Sequence, residues 1–415
     1  MRVIVLGGGL LGVASAYYLQ QLGHEVTVID RHDTPAAKAR GVASAPARAP
    51  CVAPTTSGAG SACRSAIQHL RRRWRSLASY FHGGAPRPTE RLEHLVRLGA
   101  YSRETVSELR REAGVSHPPH SAGWMRIFTD AAAFDAFTRS APRLHALGCA
   151  LELLSADEAL REEPALHALH ALRGTLAGAA FSREDPARDP SAFAASMIFM
   201  CRAAGVHFLM NHDVVKLHAR EGRIDHVELT NPDGERTTLR AQAYVMALGT
   251  GSVPQAHALG IDLPLRLVRE YSVLLPIRDM ALAPRVVLHD RTGRLRIRRI
   301  ETPQGERLRV WSSVRLTKDV AIDSAGEAAH FARMLARVEQ LLPGVVDASG
   351  AEFSCTLQSR SATGLPVIGR TPLRNLFLNT APGAPGWVNA CGAGKSIARI
   401  VSGLLPEVEF AFAKG

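Results

Sequence analysis

Gly7, Gly9 and Gly12 stand in G-x-G-x-x-G spacing, directly after the apolar run Val3–Leu6. That spacing suits a phosphate cradle. Gly7 permits a tight turn, Gly9 lets a pyrophosphate approach bare backbone, and Gly12 lets a helix pack close to a strand. The helix that follows, ending at Gly23, would present unpaired N–H groups and partial positive charge to an anion. Val26–Ile29 predicts a second strand, and Asp30 at its carboxyl end lies eighteen residues past Gly12. An acid there suits an adenosine ribose. Together these elements predict a βαβ dinucleotide site. Arg2 and Ala14-Ser15-Ala16 only superficially resemble a signal peptide, because the basic region has one charge and glycines break the apolar run. The same glycines and the polar Gln20-Gln21 argue against a transmembrane helix.

The rest of the chain must position this turn. Thr34–Gly60 is rich in Ala, Pro, Gly and Ser and predicts no regular structure. Helices are expected over roughly 62–82, 88–114, Asp130–Leu147 and Ser155–Glu163, with a short strand at Trp124–Phe128. Asp189-Pro190 is a helix start, and that helix ends at Gly205. Val206–Met210, Val214–His218, Ile224–Thr230 and Thr237–Leu239 predict one small antiparallel sheet, with a turn at Asn231–Gly234. Ala243–Gly249 is a strand ending at glycine, and Leu263–Asp319 is mostly strand. A helix at Glu327–Leu342, a strand at Phe377–Thr380 and a final helix opened by Gly392-Ala393-Gly394 complete the order.

The chain of 415 residues is long enough for two or three packed units. Mean hydropathy near zero describes an ordinary soluble composition. The net charge of +12 invites a nucleic-acid or membrane reading. However, Lys38, Lys216, Lys318, Lys395 and Lys414 are the only lysines among 50 basic residues, a bias that a GC-rich bacterial genome produces. No nucleic-acid partner is expected. Arg64–Arg75, with Trp74 among arginines, is a candidate for peripheral contact with anionic lipid. The six cysteines include no C-x-x-C, and the pairs His117/His120 and His167/His170 lack further ligands, so no metal site is expected. Gly392–Ser396 imitates the end of a P-loop, but Asn389 stands where its first glycine belongs.

A dinucleotide fold at the start of the chain, interrupted twice, resembles the FAD-dependent amine and amino-acid oxidoreductases. Gly364–Thr371 (GLPVIGRT), Asn375–Thr380 (NLFLNT), Gly386–Gly394 (GWVNACGAG), Leu95–Glu108, Tyr244–Gly249 and Tyr271-Ser272 sharpen this. They resemble the small subunit of bacterial D-amino-acid dehydrogenase, within the D-amino-acid oxidase-like superfamily. The resemblance implies an α/β fold, with a Rossmann-type FAD-binding domain (1–115, 185–265, 345–415). An α+β substrate domain (116–184, 266–344) with a mostly antiparallel sheet would interrupt it. It implies FAD held by Val3, Gly7, Gly8, Gly9, Leu10, Leu11, Gly12, Asp30, Arg31, Val214, Ala247, Gly249, Gly392 and Gly394. The activity implied is hydride transfer from the Cα of a D-amino acid to flavin N5, then hydrolysis to a 2-oxo acid and ammonia. Electrons would pass to the respiratory chain, and the protein would be cytoplasmic or peripheral on the inner face of the cytoplasmic membrane.

Departures from that family's pattern gather on the flavin and substrate side. Lys38–Ala45 lacks most of the expected small hydroxyls, and Arg40 is a candidate pyrophosphate contact there. Gln358 stands where an Arg would pair with the substrate carboxylate, and Gln supplies no charged fork. In an extended strand Arg360 shares the face of Gln358 and could substitute. Trp311 would narrow the pocket, Glu270 replaces a glycine, and Ala381–Pro385 lacks the expected His. Tyr271 could hydrogen-bond the carboxylate, which makes Tyr271 and Arg360 the candidate catalytic residues. An active dehydrogenase with altered substrate choice is the favoured reading. An FAD-binding paralogue with a structural or regulatory role, or a subunit needing a partner chain, are the alternatives.

Overall fold

The computed structural model describes residues 1–35, 88–113, 123–173, 176–183, 190–315, 324–381 and 389–414. The expectations for 36–60, for a helix over 62–82, for Lys38–Ala45 with Arg40, for Arg64–Arg75 and for 382–388 lie outside them.

The first sheet contains β1 (Arg2–Leu6), β2 (Glu25–Ile29), β6 (His207–Leu209), β10 (Ala243–Met246), β16 (Val367–Arg370), β17 (Leu376–Thr380) and β18 (Ala413–Lys414). Their order is β18-β16-β17-β10-β1-β2-β6, and every pair is parallel except β16–β17. Burial on both faces explains the unbroken apolar run of β1. Val3 and Val5 face a core shared with helices α1 (Leu10–Gln21), α2 (Pro88–Ala113), α6 (Pro190–Ala203) and α9 (Ala390–Val401). Ile4 and Leu6 face a second core under a three-stranded antiparallel sheet. That sheet is β7 (Asp213–Arg220), β8 (Arg223–Thr230) and β9 (Arg236–Leu239).

One expectation is corrected here. The strand expected at Val206–Met210 does not join the small sheet: β6 pairs in parallel with β2, through Thr27↔His207 to Ile29↔Leu209. The reason is the helix before it. α6 packs Phe193, Met197, Ile198 and Cys201 into the helix-side core, so the chain re-enters at the edge of the parallel sheet as a crossover connection does.

The second large sheet contains β3 (Trp124–Phe128), β4 (Glu152–Leu154), β5 (Gly178–Ser182), β11 (Leu265–Pro276), β12 (Val287–Asp290), β13 (Leu295–Thr302), β14 (Gly305–Arg315) and β15 (Glu352–Ser361). The order is β15-β11-β14-β13-β12-β3-β5-β4, antiparallel except for β12–β3. α3 (Ala131–Ala146) forms where a helix was expected over Asp130–Leu147, and Asp130 caps it. α4 (Ala156–Glu162) carries a Ser155–Glu158 capping box. α5 (His167–Arg173) follows, and α7 (Ser252–Ala258) has no counterpart among the expected elements. α8 (Ser324–Leu341) lays Met334, Val338 and Leu341 on one face of the second sheet, forming a third core with Tyr271, Val273 and Leu275.

Glycines set the spacing between α9 and its neighbours. A Cβ at Gly394 would lie 2.7 Å from the carbonyl carbon of Ala14, and one at Gly392 would lie 2.3 Å from Ser102 Oγ. Gly394→Ala should therefore push α9 off α1 and destabilise the protein by about 1–3 kcal/mol, read as a lower denaturant midpoint. Gly99 of α2 has open space around its would-be Cβ. Gly99→Ala should leave stability unchanged or raise it by up to about 1 kcal/mol.

Candidate functional site

The turn after β1 is built by backbone contacts that exclude side chains. Gly7 has φ +107°, and a Cβ there would fall 2.4 Å from the carbonyl oxygen of Ala247. A Cβ at Gly12 would fall 1.8 Å from the Gly7 carbonyl oxygen, which locks α1 down against the turn. Gly9 differs: its would-be Cβ meets nothing within 4 Å, so the space above it is open. Gly9 caps α1 without a side-chain hydrogen bond, and no acid occupies the first turn. The first N–H groups of α1, at Leu10, Leu11 and Gly12, therefore have no intrahelical acceptor, and the positive end of the helix has no internal counter-charge.

Asp30 ties the turn to β2. Its Oδ2 accepts the Gly8 N–H at 2.6 Å, and its Oδ1 accepts the His32 N–H at 2.9 Å and lies 2.5 Å from His32 Nδ1. The bulge of β7 after Val214 and the turn Gly249–Gly251 close the far side. Between them lies a cavity of 290 Å³. The structure brings Gly7, Gly8, Gly9, Asp30, Arg31, Val214, Ala247 and Gly249 together around it. Open backbone N–H groups at one end and a carboxylate at the other fit the ADP half of FAD, pyrophosphate over Gly9 and ribose at Asp30.

Other expected contacts lie elsewhere. Val3 is buried in the helix-side core and does not line the cavity. Alternation along β1 turns its side chain away from the small sheet. Leu10 and Leu11 pack side chains against the same core and offer only backbone. Gly392 and Gly394 also lie away from the cavity, and helix packing accounts for both. Conversely, His32 and Gln255 line the cavity and were not anticipated. Gln255 Nε2 donates to the carbonyls of Val214, at 2.9 Å, and Val215, at 3.1 Å. The only available signal was the polar residue in SVPQAHA, a helix too short to read from periodicity.

The candidate catalytic pair is split by the second sheet. Tyr271 is fully buried against α8, with its ring 4.3 Å from His330 and 5.2 Å from Phe331. Burial raises its hydroxyl above the ordinary phenol value. Tyr271 is thus a core residue and not a substrate contact, because Glu270 and Ser272 take the opposite face of β11. Arg360 is on that opposite face, paired in register with Arg266. Its Nη2 donates to Ser313 Oγ at 3.2 Å and lies 3.6 Å from Glu270 Oε2. Gln358 Nε2 donates to Glu270 Oε1 at 3.1 Å. Beside Arg360 opens a second cavity of 340 Å³, walled by Arg126, His289, Arg296, Trp311 and Ser313. The Gly249–Gly251 turn of the first cavity lies next to β15, which carries Arg360.

The family of FAD dependent oxidoreductases designated DAO matches residues 2–400. The chain is 32% identical over 426 residues to a protein named D-amino acid dehydrogenase from Methylobacterium sp. (strain 4-46), covering 98% of this chain and 97% of that one. It is 31% identical over 425 residues to a protein of the same name from Azorhizobium caulinodans, with the same coverage. Among solved structures, glycine oxidase from Geobacillus kaustophilus superposes with a TM-score of 0.70 at 20% identity, over 98% of this chain and 96% of that one. L-proline dehydrogenase from P. horikoshii gives 0.69 at 16% identity, over 97% and 93%. These superpositions establish a shared fold, and the sequence match extends over nearly the whole chain. With the glycine turn, Asp30 and the closing Gly249 turn in place, the chain belongs to the DAO family of FAD-dependent oxidoreductases.

Proposed function

We propose that this protein oxidises D-amino acids with FAD as its cofactor. The observation that carries the reading is the cradle over Gly9, with Asp30 fixed on the Gly8 N–H, in a chain that aligns end to end with D-amino acid dehydrogenases. Bound FAD supplies the hydride acceptor: the substrate loses two electrons and two protons' worth of hydrogen from Cα and nitrogen, and water then releases ammonia from the imine. The protein's own groups bind and orient. The helix N-terminus and Asp30 hold the ADP half, and Arg360 takes the substrate α-carboxylate in place of the missing arginine at Gln358. Arg360 supports this role because it is accessible and its fork is incompletely used, with one hydroxyl and one distant carboxylate.

In the same reading residues 1–115, 185–265 and 345–415 form the FAD-binding unit, except that β15 passes into the substrate sheet. Residues 116–184 and 266–344 form the substrate unit. The small-subunit role, a respiratory-chain acceptor and an inner-face membrane contact also belong to it. The dehydrogenase names of the relatives support an acceptor other than oxygen. No described helix is long and apolar enough to cross a membrane, so any such contact is peripheral as far as those helices go.

His289 stands in the wall of the second cavity, stacked on Trp124 at 5.4 Å. Burial first, then the Arg296 and Arg126 guanidiniums, push its pKa down to about 3. The ring is neutral at working pH, so the positive charge of this wall comes from arginine alone.

The purified protein should show a visible flavin spectrum that bleaches on anaerobic addition of D-amino acids and not of their L-enantiomers. Bleaching by L-amino acids only, or no flavin after reconstitution with FAD, would sink the proposal. Asp30→Ala should weaken FAD binding at least about tenfold, as titration by flavin fluorescence would show, because the ribose loses a charged acceptor. His289 yields a pH prediction. Between about pH 6.5 and 3 the unfolded chain protonates this ring and the folded chain does not, so stability falls as pH drops through that window. His289→Gln should flatten the slope by up to about 1.4 kcal/mol per pH unit, measured by urea unfolding at a series of pH values.

A further inference from the structure

The open face of the second sheet gathers more positive charge than one amino-acid carboxylate requires. Arg126 on β3, Arg296 on β13 and Arg360 on β15 line one cavity, with Arg291 and Arg294 on its rim. Two carboxylates belong to the same surroundings, Asp290 and Glu270. Asp290 is spent elsewhere. Its fully buried carboxylate accepts from Arg337 at 2.7 and 3.0 Å and from the N–H groups of Thr292 and Gly293. Glu270 is shared between Gln358 and Arg360. Neither Arg126 nor Arg296 has a carboxylate within ion-pair distance among the described residues. Three inner guanidiniums against one carboxylate leave a net charge of +2.

This arrangement is electrostatically expensive without an anion. Burial and the neighbouring Arg360 weaken the proton affinity of Arg296, with Glu270 opposing and Arg126 adding to the effect. Burial and Arg291 do the same at Arg126. Like charges held together in a concave, partly desolvated wall favour a ligand that brings more than one negative group. The spacing also argues for two groups. Arg360 and Arg296 sit on strands three positions apart, and Arg126 lies two further on. At about 4.8 Å per strand their backbones span far more than a single carboxylate, even with long side chains converging. Arg360, on the strand beside the Gly249 turn, is nearest the cofactor cleft, whereas Arg296 and Arg126 stand deeper along the sheet. Trp311, paired with Arg296 across β13–β14, restricts the width between them.

We infer that the substrate pocket selects dicarboxylic D-amino acids of the aspartate and glutamate class, with Arg360 on the α-carboxylate and Arg296 with Arg126 on the side-chain carboxylate. The inference rests on the amino-acid oxidation proposed above, and its test separates the two.

The FAD-loaded enzyme is assayed with D-glutamate, D-aspartate and D-alanine, and binding of the unreactive glutarate and butyrate is measured by calorimetry. A dicarboxylic substrate should exceed D-alanine at least tenfold in kcat/KM, and glutarate should bind at least tenfold tighter than butyrate. Arg296→Gln should lower both ratios at least tenfold, and Arg296→Lys, which keeps the point charge, should recover most of the loss. Preference for D-alanine, together with equal binding of glutarate and butyrate, would overturn the inference and leave the dehydrogenase reading standing. If no D-amino acid is oxidised, that reading fails and calorimetry alone decides the inference. Arg296-dependent glutarate binding upholds the dicarboxylate pocket, and its absence overturns it.

Discussion

The contact on which the rest depends is backbone against backbone. Gly7 can lie under the Ala247 carbonyl, and Gly12 under the Gly7 carbonyl, only because neither carries a Cβ. That double approach joins the ends of β1 and β10 and seats the first turn of α1 directly above them. The helix dipole and its free N–H groups consequently converge on the space over Gly9. Asp30 adds the transverse tie, drawing the end of β2 to the Gly8 N–H. One glycine too many or too few would move the anion site away from the carboxylate, so cleft geometry and strand register are parts of the same constraint.

The second sheet divides its work between faces by the two-residue period of a strand. On β11, Tyr271 and Val273 meet α8 and build a core, while Glu270 and Ser272 look into the opposite space. Arg269 belongs with the core side, where its guanidinium reaches Glu327 of α8 at 2.5 Å. The polar side is where β14 and β15 contribute Trp311, Ser313, Gln358 and Arg360. A shift of one residue in this register would exchange the faces and send Tyr271 to the pocket and Glu270 to the core. The tight apolar packing around Tyr271 and Phe331 disfavours that alternative.

How much of this was legible beforehand follows the same physics. The parallel sheet and its cradle were readable because local signals agreed: an apolar strand, glycines at fixed offsets, an acid after the second strand. Gly7, Gly8, Gly9, Ile29, Asp30 and Arg31 line that site and come from stretches with such signals. Strands such as β15 and the short helix α7 carry weak periodicity, so Gln255 could not be assigned. The partner of β6 is not legible in sequence because strand pairing is non-local, and only the packing of α6 decides which sheet receives the chain. The face of Tyr271 is not legible in sequence, because a tyrosine in a strand reads equally well on either face. The resemblance groups Val3, Gly392 and Gly394 with the cofactor, and the structure places Val3 in the helix-side core and both glycines at close helix contacts.

The polar face of the second sheet becomes intelligible when its charges are followed. Gln358 supplies no charged fork, but its amide orients Glu270, and Glu270 stands beside Arg360, two residues past Gln358. Glu270, at 3.6 Å, and Ser313, at 3.2 Å, hold the Arg360 guanidinium without saturating it. Asp290 makes the complementary adjustment. It borders the basic cavity, yet Arg337 and the turn at Thr292–Gly293 consume its lone pairs, and a side chain at Gly293 would strike its Oδ2. Had that carboxylate turned inward, it would have neutralised Arg296 or Arg126 from within the protein. Because Arg337 holds it on the α8 side of the sheet in a buried pair, the positive charge stays available to whatever enters. Specificity at this pocket therefore depends as much on where a negative side chain is kept from pointing as on the arginines themselves.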